Sequence, residues 1–329
     1  MLMNIRVSLM VAALAASVIV SSPAYAEKVR IGYWNSGTSV GFGAVMEAMK
    51  FVEKEGLEVE YIQFPDLNAP TKAIAADAID FAIGASSNGA MSIASDGIPV
   101  QIILASQVAQ LSFVVLADSP IRTMADLKGK KIGMSPPGSA TAALTTAILE
   151  NNYGLKITDY TAVPGNESRL AQFLVQKDID AATIRSVTIA QMDNVKLRYL
   201  GSVPKEWQKL IGSQAQPVLA VALVRSDWLK KNPDGAAKLV VAMRKTYDYG
   251  KTDKPAVAQI LMKAANMNAE NAKQYADLWD GIYTVSLEPS DIVSMKKQFD
   301  IFKSVGVSKG DLPASAFATA PYETSKTMK

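Results

Sequence analysis

Two short polar stretches in this chain stand where an apolar segment gives way to a helix. Ser86-Ser87-Asn88 follows Phe81–Gly84, and Gly138-Ser139-Ala140-Thr141 follows Lys131–Met134. The first amides of a helix lack intrahelical acceptors and the helix dipole is positive there, so such starts hold anionic groups. Serines at these positions serve equally well as ordinary N-caps. A third group, Arg185, ends the segment Ala181–Ile184. It offers a planar, two-pronged grip on a carboxylate or sulfonate, with an ion pair at the surface or between lobes as the alternative. The chain has no histidine and no cysteine, which removes Ser-His-Asp and Cys-His nucleophiles, HExxH zinc sites and thiolate metal sites. Gly41-Phe42-Gly43 has Met46 where a dinucleotide fingerprint needs its third glycine, and Gly129-Lys130 lacks the upstream glycine of a P-loop. Both read as turn and capping glycines. The expected chemistry is binding, with no catalytic residue, no metal and no cofactor.

Such residues need a scaffold that turns two strand ends toward each other, and the sequence carries one in duplicate. IAADAIDFAIGAS at residues 74–86 is echoed by LVQKDIDAATIRS at residues 174–186, with Ile79/Ile179, Asp80/Asp180, Ala82/Ala182 and Ser86/Ser186 in register. Upstream, KVRIGYWNSG at Lys28–Gly37 matches KKIGMSPPGS at Lys130–Ser139 in the same sense. Each copy runs strand, loop, helix, stop and IDxA strand, which implies two similar α/β lobes with a ligand cleft between them.

The spacing of Phe42, Val45, Met46, Met49 and Val52 predicts a helix after the strand Val29–Trp34, and Val59–Phe64 is the next strand. Helices are expected over Ala69–Ala76, Ser139–Asn152 with Gly154 as its stop, and Arg169–Gln176. The polar run Ser106–Ser112 is a candidate crossing between lobes, and Pro217–Arg225 a long apolar strand returning to the first lobe. Beyond Asp227 the pattern predicts helices over Asp234–Tyr249, Lys254–Ala265, Ala269–Ile282 and Ser290–Val305. Residues 27–112 with 226–329 are assigned to lobe 1 and 113–225 to lobe 2.

Arg6, the apolar run Val7–Val20 and Ala24-Tyr25-Ala26 read as a signal peptide over residues 1–26, which implies a periplasmic destination. The formal net charge of +3 is small and its charges are interspersed, so nucleic acid is not an expected partner.

The blocks RIGYWNSG, AxxIDFAIGASS, DGIPVQIILAS, SPIRTMADLKGKKIGMSPPGSA, DIDAATI and VRSDWLKKNPD together resemble the periplasmic solute-binding proteins of ABC importers of the nitrate/sulfonate/taurine family. The resemblance implies the type II periplasmic binding protein fold, two α/β lobes joined by two hinge crossings. It also implies a monomer that closes on a small-molecule solute and delivers it to an inner-membrane ABC permease. In that family the loop after the first strand lines the cleft, so Trp34 is expected as an apolar wall and Asn35 and Ser36 as polar contacts. Gln107 either hydrogen-bonds solute or satisfies the hinge. Asn166 and Glu167 follow the strand Asp159–Val163, and Glu167 suits an ammonium if the solute is zwitterionic. Relatives carry an aromatic-acid-Pro or aromatic-Ala-Pro segment where this chain has Ile184-Arg185-Ser186, which makes Arg185 the expected anion clamp. The favoured solute is a small organic anion, a sulfonate or carboxylate. The alternatives are a neutral or heterocyclic solute such as a thiamine-precursor pyrimidine, and an enzyme built on the same two lobes.

Overall fold

The computed structural model describes residues 27–192 and 194–328; the signal peptide expected over residues 1–26 lies outside them. In chain order the elements are β1 (Lys28–Trp34), α1 (Gly37–Ala48), α2 (Phe51–Lys54), β2 (Glu58–Phe64), α3 (Ala69–Ala75), β3 (Phe81–Ser86), α4 (Ser87–Ser95) and β4 (Val100–Val108). Then follow β5 (Leu111–Leu116), β6 (Lys131–Met134), α5 (Ala140–Tyr153), β7 (Thr161–Pro164), α6 (Glu167–Gln176), β8 (Ala181–Arg185), α7 (Ser186–Ala190), β9 (Leu197–Ser202) and α8 (Val203–Ile211). The chain continues through β10 (Val218–Arg225), α9 (Ser226–Lys231), α10 (Pro233–Thr252), α11 (Lys254–Ala264), α12 (Ala269–Asp277), α13 (Trp279–Ile282), β11 (Tyr283–Ser286), α14 (Pro289–Ser304) and α15 (Ala320–Ser325).

Two sheets result, ordered β11-β4-β10-β3-β1-β2 and β7-β6-β8-β5-β9. Their cores match strand for strand. β2-β1-β3 and β7-β6-β8 are parallel, and each is continued by an antiparallel strand, β10 in one sheet and β5 in the other. This is the expected α/β, two-lobed type II architecture. Both antiparallel strands arrive by crossing from the opposite lobe, and the crossings are joined where Ala109 N–H donates to Pro217 O at 2.9 Å.

Four expectations need correction. The polar run Ser106–Ser112 is mostly strand: β4 extends to Val108 and β5 starts at Leu111, leaving Ala109 and Gln110 between them. Its polar residues Ser106 and Gln107 are both buried near the end of β4, where Gln107 bonds Thr38 and Ser39 of α1. Pro217–Arg225, read as a strand returning to the first lobe, does so as β10 between β3 and β4 of the first sheet, so the assignment of 113–225 to lobe 2 runs past its crossing. The expected helix Ala269–Ile282 is broken at Leu278 into α12 and α13, and Tyr283 then enters β11 beside β4. The short elements α7, β9 and α8 were not foreseen. Gly41 and Gly43 are not turn glycines; they lie inside α1, where an added Cβ would strike the rings of Tyr275 and Tyr33.

The repeat has a physical basis in each lobe. Asp80 Oδ2 accepts Arg30 N–H at 2.9 Å, and Asp180 Oδ2 accepts Lys131 N–H at 2.8 Å. Each aspartate thereby clips the start of the neighbouring parallel strand. Gly32 and Gly133 leave room above those strands for Ile79 and Ile179. The two clips differ in burial: Asp80 is nearly buried and also holds the Arg30 guanidinium at 2.8 and 3.0 Å, whereas Asp180 is exposed. Asp80→Ala is therefore expected to cost about 2–3 kcal/mol and Asp180→Ala about 1 kcal/mol or less, read as shifts in urea midpoint. Equal losses would contradict this difference.

The lobes pack against each other at both ends of the cleft. Val187 of α7 enters the core of the first sheet. Phe302 of α14 enters the core of the second, with its ring centroid 6.3 Å from that of Trp207. This is a closed arrangement.

Candidate functional site

β3 and β8, the two repeated strands, end opposite each other, and their last residues begin the site. Ser86 is the N-cap of α4, accepting Gly89 N–H at 3.3 Å. The same oxygen accepts Ala140 N–H, from the first turn of α5, at 2.9 Å and donates to Gly138 O at 3.3 Å. Asn88 also donates to Gly138 O at 3.3 Å and accepts from Ser308 at 2.7 Å. Asn68 donates to Pro137 O at 3.2 Å. The two helix starts expected to hold an anion are thus bonded to each other across the cleft. Ser87 is turned away from it: its hydroxyl donates to Val218 O at 2.7 Å and accepts from Gln298 at 3.1 Å, a link within lobe 1. Ser139 caps α5 through Ala142 N–H at 3.2 Å, and Asn166 caps α6 through Arg169 N–H at 2.9 Å.

Arg185 is buried, as is its partner Glu167. The Arg185 Nη1 pairs with Glu167 Oε1, and Nη2 donates to Thr141 Oγ1 at 3.2 Å. Glu167 Oε2 further accepts the Arg185 backbone N–H at 3.1 Å and the Thr188 hydroxyl at 2.9 Å. Glu167 stands in the first turn of α6, where the helix dipole favours a negative charge. The expected free clamp is therefore a neutralised pair. The reason is local: a guanidinium at the end of β8 sits beside the start of α6, and burial demands a counter-charge. The Arg185 guanidinium lies 5.4 Å from the Trp34 ring centroid. Two donors remain without partners, Arg185 Nε and Trp34 Nε1, both buried. Trp34 is more than an apolar wall; it covers the cation.

Below this pair, Gln107 accepts from Thr38 at 2.6 Å and its amide reaches Ser39 Oγ at 3.4 Å. Gly84 adopts φ +69° in the middle of β3, and an added Cβ would stand 2.6 Å from Ser39 Oγ and 3.0 Å from Gln107 Nε2. Thr38, Ser39, Gly84, Ser86, Gln107, Ala140 and Arg185 enclose a central space of about 10 Å3, room for roughly one water. Thr38, Ser39 and Gly84 were missed in the sequence. The first two are the polar residues in the first turn of a helix that runs apolar from Val40 to Met46, which is the signal that marks them.

Glu167, the partner of Arg185, also lines two larger spaces. One opening, of about 150 Å3, is lined by Trp34, Asp66, Asn166 and Glu167 among others. The other is a mouth of about 390 Å3 that includes Asn35, Ser36 and Glu167, together with residues of α7 and of the turn between α11 and α12. Among the described lining residues of these three spaces the ionisable side chains are Arg185, Glu167 and Asp66. The arrangement suits reversible holding of a polar solute. No described helix is long and apolar enough to cross a membrane.

A family model described as "NMT1/THI5 like" matches residues 45–256. Among curated relatives, a protein of Brucella abortus provisionally named a binding protein is 23% identical over 91% of this chain and 92% of its own length. A Haemophilus influenzae protein provisionally named a thiamine biosynthesis protein is 30% identical over 50% of this chain and 52% of its own. Among solved structures, the alkanesulfonate-binding protein SsuA of Xanthomonas axonopodis pv. citri, bound to MOPS, has a TM-score of 0.74 at 17% identity, covering 90% of this chain and 100% of that one. The periplasmic nitrate-binding protein NrtA of Synechocystis has a TM-score of 0.66 at 16% identity, covering 92% and 86%. These likenesses establish the fold.

Proposed function

We propose that this chain, which belongs to the NMT1/THI5-like family, is the solute-binding component of an ABC importer, working in the periplasm as a monomer. Lobe 1, residues 27–108 with 218–328, and lobe 2, residues 111–217, close on a small organic solute and present it to a membrane permease. The fold shared with alkanesulfonate- and nitrate-binding proteins, and full-length likeness to a relative named a binding protein, support this reading over catalysis. An exported chain without histidine or cysteine also lacks the usual nucleophile–base pairs.

The buried Arg185–Glu167 pair carries the choice of solute. A simple anion added at the free Arg185 Nε would share one buried guanidinium with Glu167 and leave the three groups with a net negative charge, at a cost of several kcal/mol. A zwitterion escapes that cost. Its sulfonate or carboxylate takes the Arg185 Nε and Trp34 Nε1 donors while its ammonium faces Glu167. The solute is then a small organic acid, as the sequence suggested, but one that carries its own positive group.

Calorimetric titration with matched pairs tests this: taurine against ethanesulfonate, and β-alanine against propionate. The amine-bearing member of a pair should bind at least about tenfold tighter, since each kcal/mol kept at Glu167 is about fivefold in affinity. Equal affinity within both pairs would refute the zwitterion reading. Tighter binding of a neutral aminopyrimidine than of any acid would favour the reading to which the Haemophilus relative points.

A further inference from the structure

The bulk of a solute cannot sit at the centre of this cleft. The central space is about 10 Å3, while the mouth lined by Glu167, the partner of Arg185, holds about 390 Å3. Its walls do not resemble those of an acid site. Asn35, Asn266, Asn268 and Asn271 come from lobe 1, and Thr188 and Gln191 from lobe 2. Among the described lining residues the one ionisable side chain is Glu167, already engaged by Arg185 and Thr188. The mouth therefore offers donors and acceptors in number, and almost no free charge.

The lobe 1 wall is held firmly. Asn268 caps α12 by accepting Asn271 N–H at 2.8 Å. One turn on, Tyr275 of the same helix donates to Gly37 O at 2.9 Å and accepts Gly41 N–H at 3.1 Å, which ties α12 to the first turns of α1. The Tyr283 hydroxyl, 2.9 Å from that of Tyr275, adds a bond to Thr38 O. α12 also packs against α7 of the other lobe, so the two walls of the mouth meet only when the cleft closes. Asn271 Oδ1 is buried there with no partner.

We propose that the mouth is a second subsite that selects an uncharged, hydrogen-bonding tail on the solute, bearing hydroxyl or amide groups. The cargo is then a tailed zwitterion, with its charged head at Arg185 and Glu167 and its tail among the asparagines. This inference rests on the head assignment made above. A wall of amides and hydroxyls gains from groups that both donate and accept. It also rejects an apolar tail, which would strip water from those amides and return nothing.

The test compares three taurines of one head and different tails: taurine itself, N-tris(hydroxymethyl)methyltaurine and N-cyclohexyltaurine. The matching glycine series, glycine, N-tris(hydroxymethyl)methylglycine and N-cyclohexylglycine, covers a carboxylate head. In the series whose head binds, the hydroxylated member should be about tenfold tighter than the bare head, as two or so net hydrogen bonds would give. The cyclohexyl member should be weaker than the hydroxylated one by at least as much. In Asn271→Leu, and in Gln191→Leu at an exposed position where folding is not at stake, the ratio of hydroxylated to bare affinity should fall toward one. A cyclohexyl member that equals the hydroxylated one, or a ratio unchanged in both variants, would overturn the mouth subsite. If bare heads bind and the hydroxylated tail adds nothing, the tail inference fails while the head assignment stands. If no member of either series binds, the head assignment fails and takes this inference with it.

Discussion

Replacing Arg185 with methionine should lower stability by about 3–5 kcal/mol, and replacing Glu167 with leucine should lower it by more. Both side chains are buried and paired, so removing either leaves an uncompensated charge out of contact with bulk water. The two orphans are unequally placed. Without the guanidinium, Glu167 keeps the backbone N–H of position 185 at 3.1 Å, the Thr188 hydroxyl at 2.9 Å and the positive first turn of α6. Without the carboxylate, Arg185 keeps Thr141 at 3.2 Å and the face of Trp34, and its Nε still lacks an acceptor. Hence the order. The double variant Arg185→Met with Glu167→Leu should recover most of the loss, because apolar residues of similar volume commonly replace buried ion pairs at little cost. Urea unfolding of the four proteins measures this directly. A single-variant loss below about 0.5 kcal/mol would mean that the guanidinium reaches water and the pair is not buried in solution. Solute binding should vanish in the double variant even though its fold returns, since head recognition is assigned to these two charges.

Why this pair was only half legible is instructive. Arg185 stood out in the sequence because its type and place, a guanidinium at the end of an IDxA strand, are local facts. Its partner lies 18 residues away on a different element. Glu167 was read as part of a loop, whereas it opens α6 and points back at β8. Geometry within one strand–loop–helix unit was readable: the Gly154 stop with φ +68° and the starts of α4 and α5 follow from short-range rules. Facts that depend on distant pairing were not. Polarity at Ser106 and Gln107 looks the same whether it belongs to a loop or to a buried strand end bonded to another element. Pro217–Arg225 was legible as a strand returning to the first lobe, but not its place between the antiparallel neighbours β3 and β4. Asn268 announces itself as a helix cap, and that role hides its second one in the wall of the mouth.

Ser86→Ala should shift the molecule toward an open form and weaken solute binding by about tenfold or more, with a smaller loss in melting temperature. The Ser86 hydroxyl uses its full capacity in the closed structure. It accepts Gly89 N–H within lobe 1, accepts Ala140 N–H from lobe 2, and donates to Gly138 O of lobe 2. Two of these three bonds exist only when the lobes meet. In the variant, closure buries the Ala140 amide without an acceptor, a penalty of about 1–3 kcal/mol, while in an open form water takes the place of the hydroxyl. Gly138 O suffers less because Asn88 still donates to it. The penalty falls on the closed state alone, so the closed-to-open ratio drops by about tenfold to a hundredfold. Apparent affinity drops with it, because a solute held by both lobes must supply the lost closure energy itself. The lost α4 cap, worth about 1 kcal/mol, accounts for the modest change in melting. Small-angle scattering should show a larger radius of gyration for solute-free Ser86→Ala than for the parent protein, and the difference should disappear at saturating solute. Unchanged scattering and unchanged affinity would reduce Ser86 to a helix cap and place the control of closure elsewhere, at the packing of Val187 and Phe302 between the lobes.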